Sequence, residues 1–257
     1  MYLEGYHWTV DDVLARSRYL ENFFSRDRIL VPNAIVKPVM VNKHTLVRLL
    51  RWSRATSPSQ TLWIKGPYTP TRDSENHMTR IGLKLVNLAH ERRPNVSMIS
   101  FFCQLKAGNN LQPNEIAQTE ALTSVIYALI RQILEILPLS LENDIDLTES
   151  RFQRLNGTKG AWKEALMILE NLVGHITQPV FCILDGLQWL EHTSTQKPLR
   201  KLLEVLRHKC LHVLYITAGS SASLGDTISK DETLGEQDLR VGAVKEDLRR
   251  HGQKFWE

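Results

Sequence analysis

The sequence predicts an α/β fold of three layers, in which helices cover both faces of a mostly parallel sheet of four or more strands. Four short apolar runs, at residues 61–66, 96–103, 180–185 and 211–217, have the length and composition of buried strands. Segments with helical spacing of apolar residues separate these runs, as in parallel sheets whose strands are connected by helices. The third run is continuously apolar rather than alternating, which indicates a strand buried on both faces.

The predicted elements divide the chain into three stretches. Residues 1–42 contain a helical pattern followed by a proline-containing linker. Residues 43–224 contain the predicted sheet and its helices, so this stretch is expected to be the main domain. Its helical patterns lie at 43–52, 78–89, 120–137, 161–173 and 199–206. Beyond it the apolar pattern fades, so residues 225–257 are expected to form a polar tail, either helical or disordered.

Composition and charge argue against several classes of protein. With 42% hydrophobic and 23% charged residues, the chain has the make-up of a globular protein rather than a disordered one. The formal net charge is only +4 and the basic runs lack interleaved aromatic residues, so nucleic-acid binding is not expected. The three cysteines are scattered, and neither a signal peptide nor a membrane span is apparent. We therefore expect a cytoplasmic, intracellular protein with reduced thiols and no membrane partner.

The loop after the first predicted strand lies where such a protein would hold a phosphate. Phosphate-binding loops usually read GxxxxGK[ST], a glycine-rich turn whose backbone N–H groups converge before a helix begins. In this chain the corresponding residues are Gly66, Pro67, Thr71, Arg72 and Asp73. When the pattern is aligned on Gly66, Thr71 replaces the second glycine and Arg72 replaces the lysine. Asp73 then stands in place of the hydroxyl that holds Mg²⁺.

These replacements weaken the predicted phosphate site. Pro70 has no N–H to donate, and Thr71 resists the positive φ angles that glycine tolerates. Arg72 keeps the positive charge but carries a planar guanidinium in place of a compact ammonium. Asp73 and Glu75 are expected in the first turn of the following helix, where their carboxylates would take the place of a phosphate and repel a triphosphate. The alternative is that the segment is an ordinary turn.

A second candidate site follows the third apolar run. Asp185 ends this run, at the position where a carboxylate holds Mg²⁺ in phosphate-transferring enzymes with a phosphate-binding loop. Gln188 cannot act as a general base, and Glu191 is a less well-placed substitute. Alternatively, Asp185 only ends the strand and caps the next segment. Because ligands bind at the carboxyl ends of parallel strands, Gly66, Arg72 and Asp185 are expected close together, on neighbouring strands.

Four stretches carry a resemblance to a known family: residues 61–67 (TLWIKGP), 127–133 (YALIRQI), 180–190 (VFCILDGLQWL) and 213–219 (VLYITAG). In this order and spacing they resemble the NACHT-like NTPase domain of filamentous-fungal STAND-type proteins, including its degenerate members. The resemblance covers residues 43–224 and implies a P-loop NTPase fold. It also implies a sensor-like position at Thr217, although the arginine that often follows in the family is absent here.

The leading hypothesis is a pseudo-NTPase: not an enzyme, with no catalytic residue and no expected cofactor or metal. Such a module would act through contacts with a protein partner that the sequence does not identify. One alternative is a nucleotide-gated switch that still binds ATP or ADP weakly, with Mg²⁺ held by Asp185. An active NTPase and a nucleic-acid adaptor are the remaining hypotheses. Nucleotide binding that depends on Mg²⁺ would distinguish the switch from the pseudo-NTPase.

Overall fold

The centre of the protein is a five-stranded sheet in which all neighbouring strands are parallel. The computed structural model describes residues 7–29, 38–54, 60–69, 76–92, 96–103, 117–137, 140–142, 146–240 and 245–256. The strands are β1 (His7–Thr9), β2 (Met40–Asn42), β3 (Thr61–Gly66), β4 (Ser97–Phe102), β5 (Ser140–Glu142), β6 (Val180–Asp185), β7 (Leu211–Ala218), β8 (Thr233–Leu234) and β9 (Lys245–Asp247). The central sheet has the order β4-β6-β7-β3-β8.

Helices connect the strands of the central sheet. The α-helices of the described residues are α1 (Val10–Ser17), α2 (Lys43–Trp52), α3 (His77–Arg92), α4 (Ala117–Ile136), α5 (Glu149–Gln153), α6 (Trp162–Gly174), α7 (Gln196–Leu206), α8 (Ala222–Thr227) and α9 (Glu236–Arg240). Short 3₁₀ turns cover Arg18–Phe23, Arg26–Arg28, Lys159–Ala161, Leu187–Leu190 and Leu248–Lys254.

The helices cover both faces of the sheet and produce the three predicted layers. On one face α1, α4, α6 and α7 pack against side chains that include Phe101 and Tyr215. On the other face α2, α3 and the last 3₁₀ turn pack against Ile64 and Ile183. Because both faces are covered, every residue of β6 and β7 is buried. The predicted three-layer α/β fold with a mostly parallel sheet is confirmed, and its four predicted strands are β3, β4, β6 and β7.

Helix α4 is surrounded by the rest of the protein over most of its length. All residues from 121 to 134 are buried, because α4 lies between strand β4 and the helices α1 and α6. Its polar Gln132 serves the sheet: the side-chain oxygen accepts a hydrogen bond from the Ser100 N–H (2.9 Å), and the side-chain nitrogen donates to the Ser100 carbonyl (3.0 Å). Ser100 belongs to an edge strand, so Gln132 takes the place of a neighbouring strand at this point.

The stretch after residue 224 is part of the same core. Helix α8 crosses the expected boundary, β8 adds a fifth strand beside β3, and β9 pairs antiparallel with β2. The buried Trp256 ring packs edge-on against the rings of Trp52 and Phe181, with centroid distances of 5.6 and 4.6 Å. A separate polar tail over 225–257 therefore does not describe residues 225–240 and 245–256.

The N-terminal stretch also joins the core. Helix α1 and the 3₁₀ turn after it pack on α4, and Leu20 is fully buried there. Strand β1 pairs antiparallel with β5. Strand β2 lies in the predicted linker, of which residues 30–37 are outside the described part of the chain. Residues 1–42 thus do not form a unit apart from the main domain where the structure describes them.

Candidate functional site

Three parallel strands end side by side at one edge of the sheet. Gly66 at the end of β3 pairs with Ala218 of β7, and Asp185 at the end of β6 pairs with Ile216 of β7. Strand β7 therefore lies between the other two, and the prediction that β3 and β6 are neighbours is wrong. The apolar pattern marks both β6 and β7 as interior strands but does not say which strand lies between which others. With two strand spacings of about 4.8 Å and an offset of two residues at about 3.3 Å each, the Gly66 and Asp185 backbones are about 12 Å apart.

Three of the predicted loop residues, Thr71, Arg72 and Asp73, lie outside the described residues. The predicted approach of Arg72 to Asp185 therefore stays a prediction. Pro67 is described and follows β3 directly, on the same edge of the sheet as Asp185.

The helix after this loop, α3, begins at His77, one residue before the predicted helical pattern at 78–89. Asn76 caps α3: its side-chain oxygen accepts from the Met78 N–H (2.9 Å), and its carbonyl accepts from the Arg80 N–H (3.0 Å). The expectation that Asp73 and Glu75 lie in the first turn of this helix stays a prediction, because both residues lie outside the described part of the chain.

Gly66 is the point at which the strand meets the helix that follows the loop. A Cβ atom at Gly66 would lie 2.3 Å from the sulfur of Met78, so a larger residue here would require the Met78 side chain to move. Met78 is buried, with 2% of its surface exposed. An apolar side chain from the first turn of α3 thus occupies the space beside the strand end.

Asp185 is buried and contacts the same helix. The hydroxyl of Thr79 donates a hydrogen bond to its carboxylate at 2.8 Å. Burial raises the pKa of Asp185 to about 7, and the hydrogen bond from Thr79 lowers it by less than burial raises it. Near neutral pH the carboxyl is therefore partly protonated, whereas coordination of Mg²⁺ needs the ionised form.

Thr79 is the functional candidate that the sequence analysis missed. Alignment on Gly66 placed the hydroxyl position at Asp73, but the hydroxyl that faces Asp185 comes from the first turn of α3. The sequence signal for it is Asn76, because asparagine favours helix N-termini. Asn76 lies directly before a helical pattern of apolar residues and three residues before Thr79. Anchoring the alignment on the helix start would have found this hydroxyl.

The two residues considered as water-positioning groups are occupied elsewhere. The amide oxygen of Gln188, in the orientation that satisfies its surroundings, accepts from the Ala218 N–H (3.3 Å) and from the indole N–H of Trp189 (3.1 Å). The carboxylate of Glu191 accepts from the Ser221 hydroxyl (2.6 Å) and from the N–H and hydroxyl of Ser223 (2.9 and 3.1 Å). Glu191 therefore satisfies the N-terminus of α8 rather than facing the strand ends.

Thr217, the predicted sensor-like residue, has a structural role. Its hydroxyl oxygen accepts from the indole N–H of Trp63 (2.9 Å), and the hydroxyl donates to the Gly219 carbonyl (2.8 Å). It is fully buried, and it lies on the opposite face of the sheet from Asp185, because Asp185 pairs with the preceding residue Ile216. Neither its direction nor its bonding suits a sensor for a ligand beside Asp185.

A cavity of about 380 Å³ opens at the same edge of the sheet. It lies between the loop after β3, the start of α3, the segment from β2 to α2, and the C-terminal elements α9 and β9. Its lining residues are Met40, Val41, Asn42, Thr45, Pro67, His77, Met78, Ile81, Glu236, Leu239 and Lys245. No sequence pattern indicates this cavity, because its walls come from segments far apart in the chain.

Compared with known proteins, the chain matches no family model and no curated protein. Within the described ranges, no group of three His, Cys, Asp or Glu side chains converges in a way that could hold a metal ion. None of the helices in the described part of the chain combines the length and hydropathy that spanning a lipid bilayer requires.

Proposed function

We propose that this protein is a non-hydrolysing pseudo-NTPase module that acts through contacts with another protein. The observation that carries the proposal is the engagement of its two candidate carboxylates. Asp185 is buried against the Thr79 hydroxyl, and Glu191 holds the N-terminus of α8. Enzymes that hydrolyse nucleotides at a phosphate-binding loop need one acid to hold Mg²⁺ and a second group to orient the attacking water. Neither task has a free group among these residues.

Further support comes from the strand end itself. Met78 packs against Gly66 in the first turn of α3, the turn from which a phosphate-binding enzyme would direct a cation and N–H groups at its ligand. Pro67 has no N–H to contribute. These features, together with the resemblance to degenerate NACHT-like domains, favour a retained scaffold over an active enzyme.

The contact surface that we propose lies at the same edge. Tyr68 follows the loop proline and has 70% of its surface exposed, and an added Cβ at Gly219 would lie 3.2 Å from its ring. The ring is thus held at the surface over a glycine rather than packed inside. Met40, 37% exposed, is a second large apolar side chain at this edge of the sheet. Exposed tyrosine next to apolar surface is typical of residues that dominate protein interfaces.

Phosphate release from ATP with Mg²⁺ tests the first half of the proposal. The purified protein should release no more phosphate than buffer does, and Asp185→Asn and Glu191→Gln should not differ from it. Release above background that Asp185→Asn abolishes would instead establish an active NTPase and contradict the proposal.

A photo-crosslinking amino acid at position 68 tests the second half. In the native cell it should capture one discrete protein partner. The same amino acid at Met167, an exposed apolar residue of α6, serves as the matched control and should not capture that partner. Equal capture from both positions, or none from position 68, would remove the support for a contact surface here.

A nucleotide-gated switch is the second candidate, and the cavity of about 380 Å³ beside α3 is the observation that favours it. Its size is within the range of small-molecule sites. Titration with a fluorescent ATP analogue separates the two candidates. Micromolar binding that requires Mg²⁺ and weakens in Asp185→Asn supports the switch, and absence of binding supports the pseudo-NTPase.

A further inference from the structure

Helix α2 has an exposed face on which every charged side chain is basic. The members of this basic face are the exposed Lys43, His44, Val47 and Arg51, the half-buried Arg48, and Arg54 directly after the helix. Every other α-helix of at least eight residues in the described part of the chain contains an Asp or Glu, whereas α2 contains none. Val47, the apolar member, has 46% of its surface exposed.

The lack of acids extends along the chain on both sides of α2. No Asp or Glu occurs between Asp27 and Asp73, a stretch that contains eight Lys and Arg. The neighbouring segments outside the described residues, 30–37 and 55–59, therefore have no carboxylate with which to neutralise the basic face. Within the described ranges, no ion pair joins a member of this face to an acid.

The charge at the start of α2 does not serve the helix. The N-terminus of a helix favours negative charge and the C-terminus positive charge. Helix α1 follows this rule, with Asp11 and Asp12 in its first turn and Arg16 in its last. Helix α2 has no acid in its first turn and begins with Lys43, a cation at the end where the helix dipole opposes it. Helix stability therefore does not account for Lys43, whereas contact with an anionic partner does.

The acids near the C-terminal end of α2 do not cancel its charge. Asp231 and Glu232 line the same cleft as Arg48 and Arg51. The carboxylate of Glu232 already accepts a hydrogen bond from Arg207 at 3.3 Å. The guanidinium of Arg48 donates to the backbone carbonyl of Asp231 and forms no ion pair with its carboxylate where the structure describes them. This end of the basic face therefore also keeps an excess of positive charge.

We infer that the basic face of α2 binds an acidic segment of a partner protein, with an apolar side chain of that segment over Val47. From Lys43 to Arg51 the face is about 12 Å long, the length of about four extended residues. The inference goes beyond the proposed function, because it concerns a different surface from the one that bears Tyr68. It holds whether or not the protein binds a nucleotide.

Two observations favour a protein segment over the phosphates of a nucleic acid. Val47 offers apolar contact in the middle of the face, which a row of phosphates does not use. At the start of the helix, the Thr45 N–H, a group that could bind a phosphate, donates to the side-chain oxygen of Asn42 at 2.7 Å. The partner is therefore expected to combine carboxylates with an apolar residue.

Fluorescence anisotropy with two labelled peptides tests the charge requirement. One peptide consists of Glu-Glu-Leu repeats, and the other has the same length and consists of Gln-Gln-Leu repeats. The acidic peptide should bind the native protein with a Kd of about 0.1 mM or below at about 0.05 M salt. The neutral peptide should bind at least about tenfold more weakly, and added salt should weaken the acidic peptide alone.

A charge-reversed variant tests the location. Lys43→Glu combined with Arg51→Glu should weaken the acidic peptide about tenfold. The two changes lie in the first and last turns of α2, so their effects on the helix dipole oppose each other, and urea unfolding should show a retained fold. The matched control is Lys159→Glu combined with Lys163→Glu. These exposed lysines, beside and in α6 on the other face of the sheet, give the same change in charge and should leave the affinity unchanged.

Val47→Ala tests the class of partner. It should weaken the Glu-Glu-Leu peptide about threefold and leave binding of single-stranded DNA of the same charge unaltered. Failure of the acidic peptide to bind the native protein, equal binding of the neutral peptide, or equal weakening by the two double variants would each overturn the inference. Tighter binding of the DNA than of the acidic peptide would overturn it as well, and would assign the face to nucleic acid.

Discussion

Replacing Asp185 with asparagine should stabilise the protein at alkaline pH. The carboxyl is fully buried, and its pKa is raised from the ordinary 3.8 to about 7, mainly by desolvation. Since a tenfold change in proton affinity corresponds to 1.36 kcal/mol, holding the ionised form costs about 4 kcal/mol relative to the unfolded chain. Asparagine keeps an oxygen that accepts from the Thr79 hydroxyl, so the variant removes the charge with little change in shape.

The sign of the pH dependence follows from the direction of the pKa change. A folded-state pKa above the unfolded value means that the folded protein holds the proton more tightly. The stabilising contribution of Asp185 is therefore fully present below about pH 4 and is lost as the pH rises through about 7. The advantage of Asp185→Asn over the native protein should grow by about 2–3 kcal/mol between about pH 5 and pH 8.

Urea unfolding of both proteins across this range measures the effect. Glu21 and Glu164, whose pKa values are lowered mainly by hydrogen bonds from arginines, add their own pH dependence, but they are common to both proteins and cancel in the difference. Asp226→Asn is the control, because Asp226 is exposed and pairs with Arg200 at the surface. A difference between native protein and Asp185→Asn that is the same at both ends of the range would refute the reasoning.

Three further substitutions have expected effects on the free energy of unfolding, each measured by urea denaturation. Gln132→Ala should destabilise by about 1–3 kcal/mol, because the N–H and carbonyl of Ser100 lose their partners inside the protein, and retained stability would mean that water replaces the amide. Gly186→Ala should cost about 1–2 kcal/mol, since φ is +83° there and the added Cβ would lie 3.0 Å from the Cys103 carbonyl oxygen. Thr45→Val should raise stability by about 1 kcal/mol, because the buried hydroxyl has no hydrogen-bond partner among the described residues, and a loss of stability would show that it has one elsewhere in the chain.

Most of the fold could be predicted because its strands are buried on both faces. Such strands produce continuous apolar runs, and β3, β4, β6 and β7 all stand out in this way. Strand β8 could not be found, because two residues between polar neighbours leave no periodic signal. The packing of the C-terminus was missed for a related reason: its burial depends on Phe255 and Trp256, two residues at the far end of a polar stretch. Strand order was beyond the sequence, since it depends on how the connections cross.

The site was predicted less well because the pattern used to find it has a fixed spacing. Asp185 could be identified from the end of an apolar run, and it does lie at the carboxyl edge of the sheet. Twelve residues, 67–78, separate Gly66 from Thr79, about twice the six that separate the first glycine from the hydroxyl residue in a phosphate-binding loop. Thr217 was assigned from the resemblance to the NACHT-like family, but the direction of its side chain depends on the alternation of side chains across the sheet.

The polar groups at the carboxyl edge of the sheet bond to one another rather than to a ligand, and this bears on the proposed function. In a phosphate-transferring enzyme the hydroxyl, the carboxylate and the helix start are held together by a phosphate and its Mg²⁺. Here Thr79 donates directly to Asp185, Asn76 caps α3, and Glu191 holds α8, so these elements are joined without a ligand. A scaffold whose site residues satisfy one another does not need a nucleotide to hold its shape.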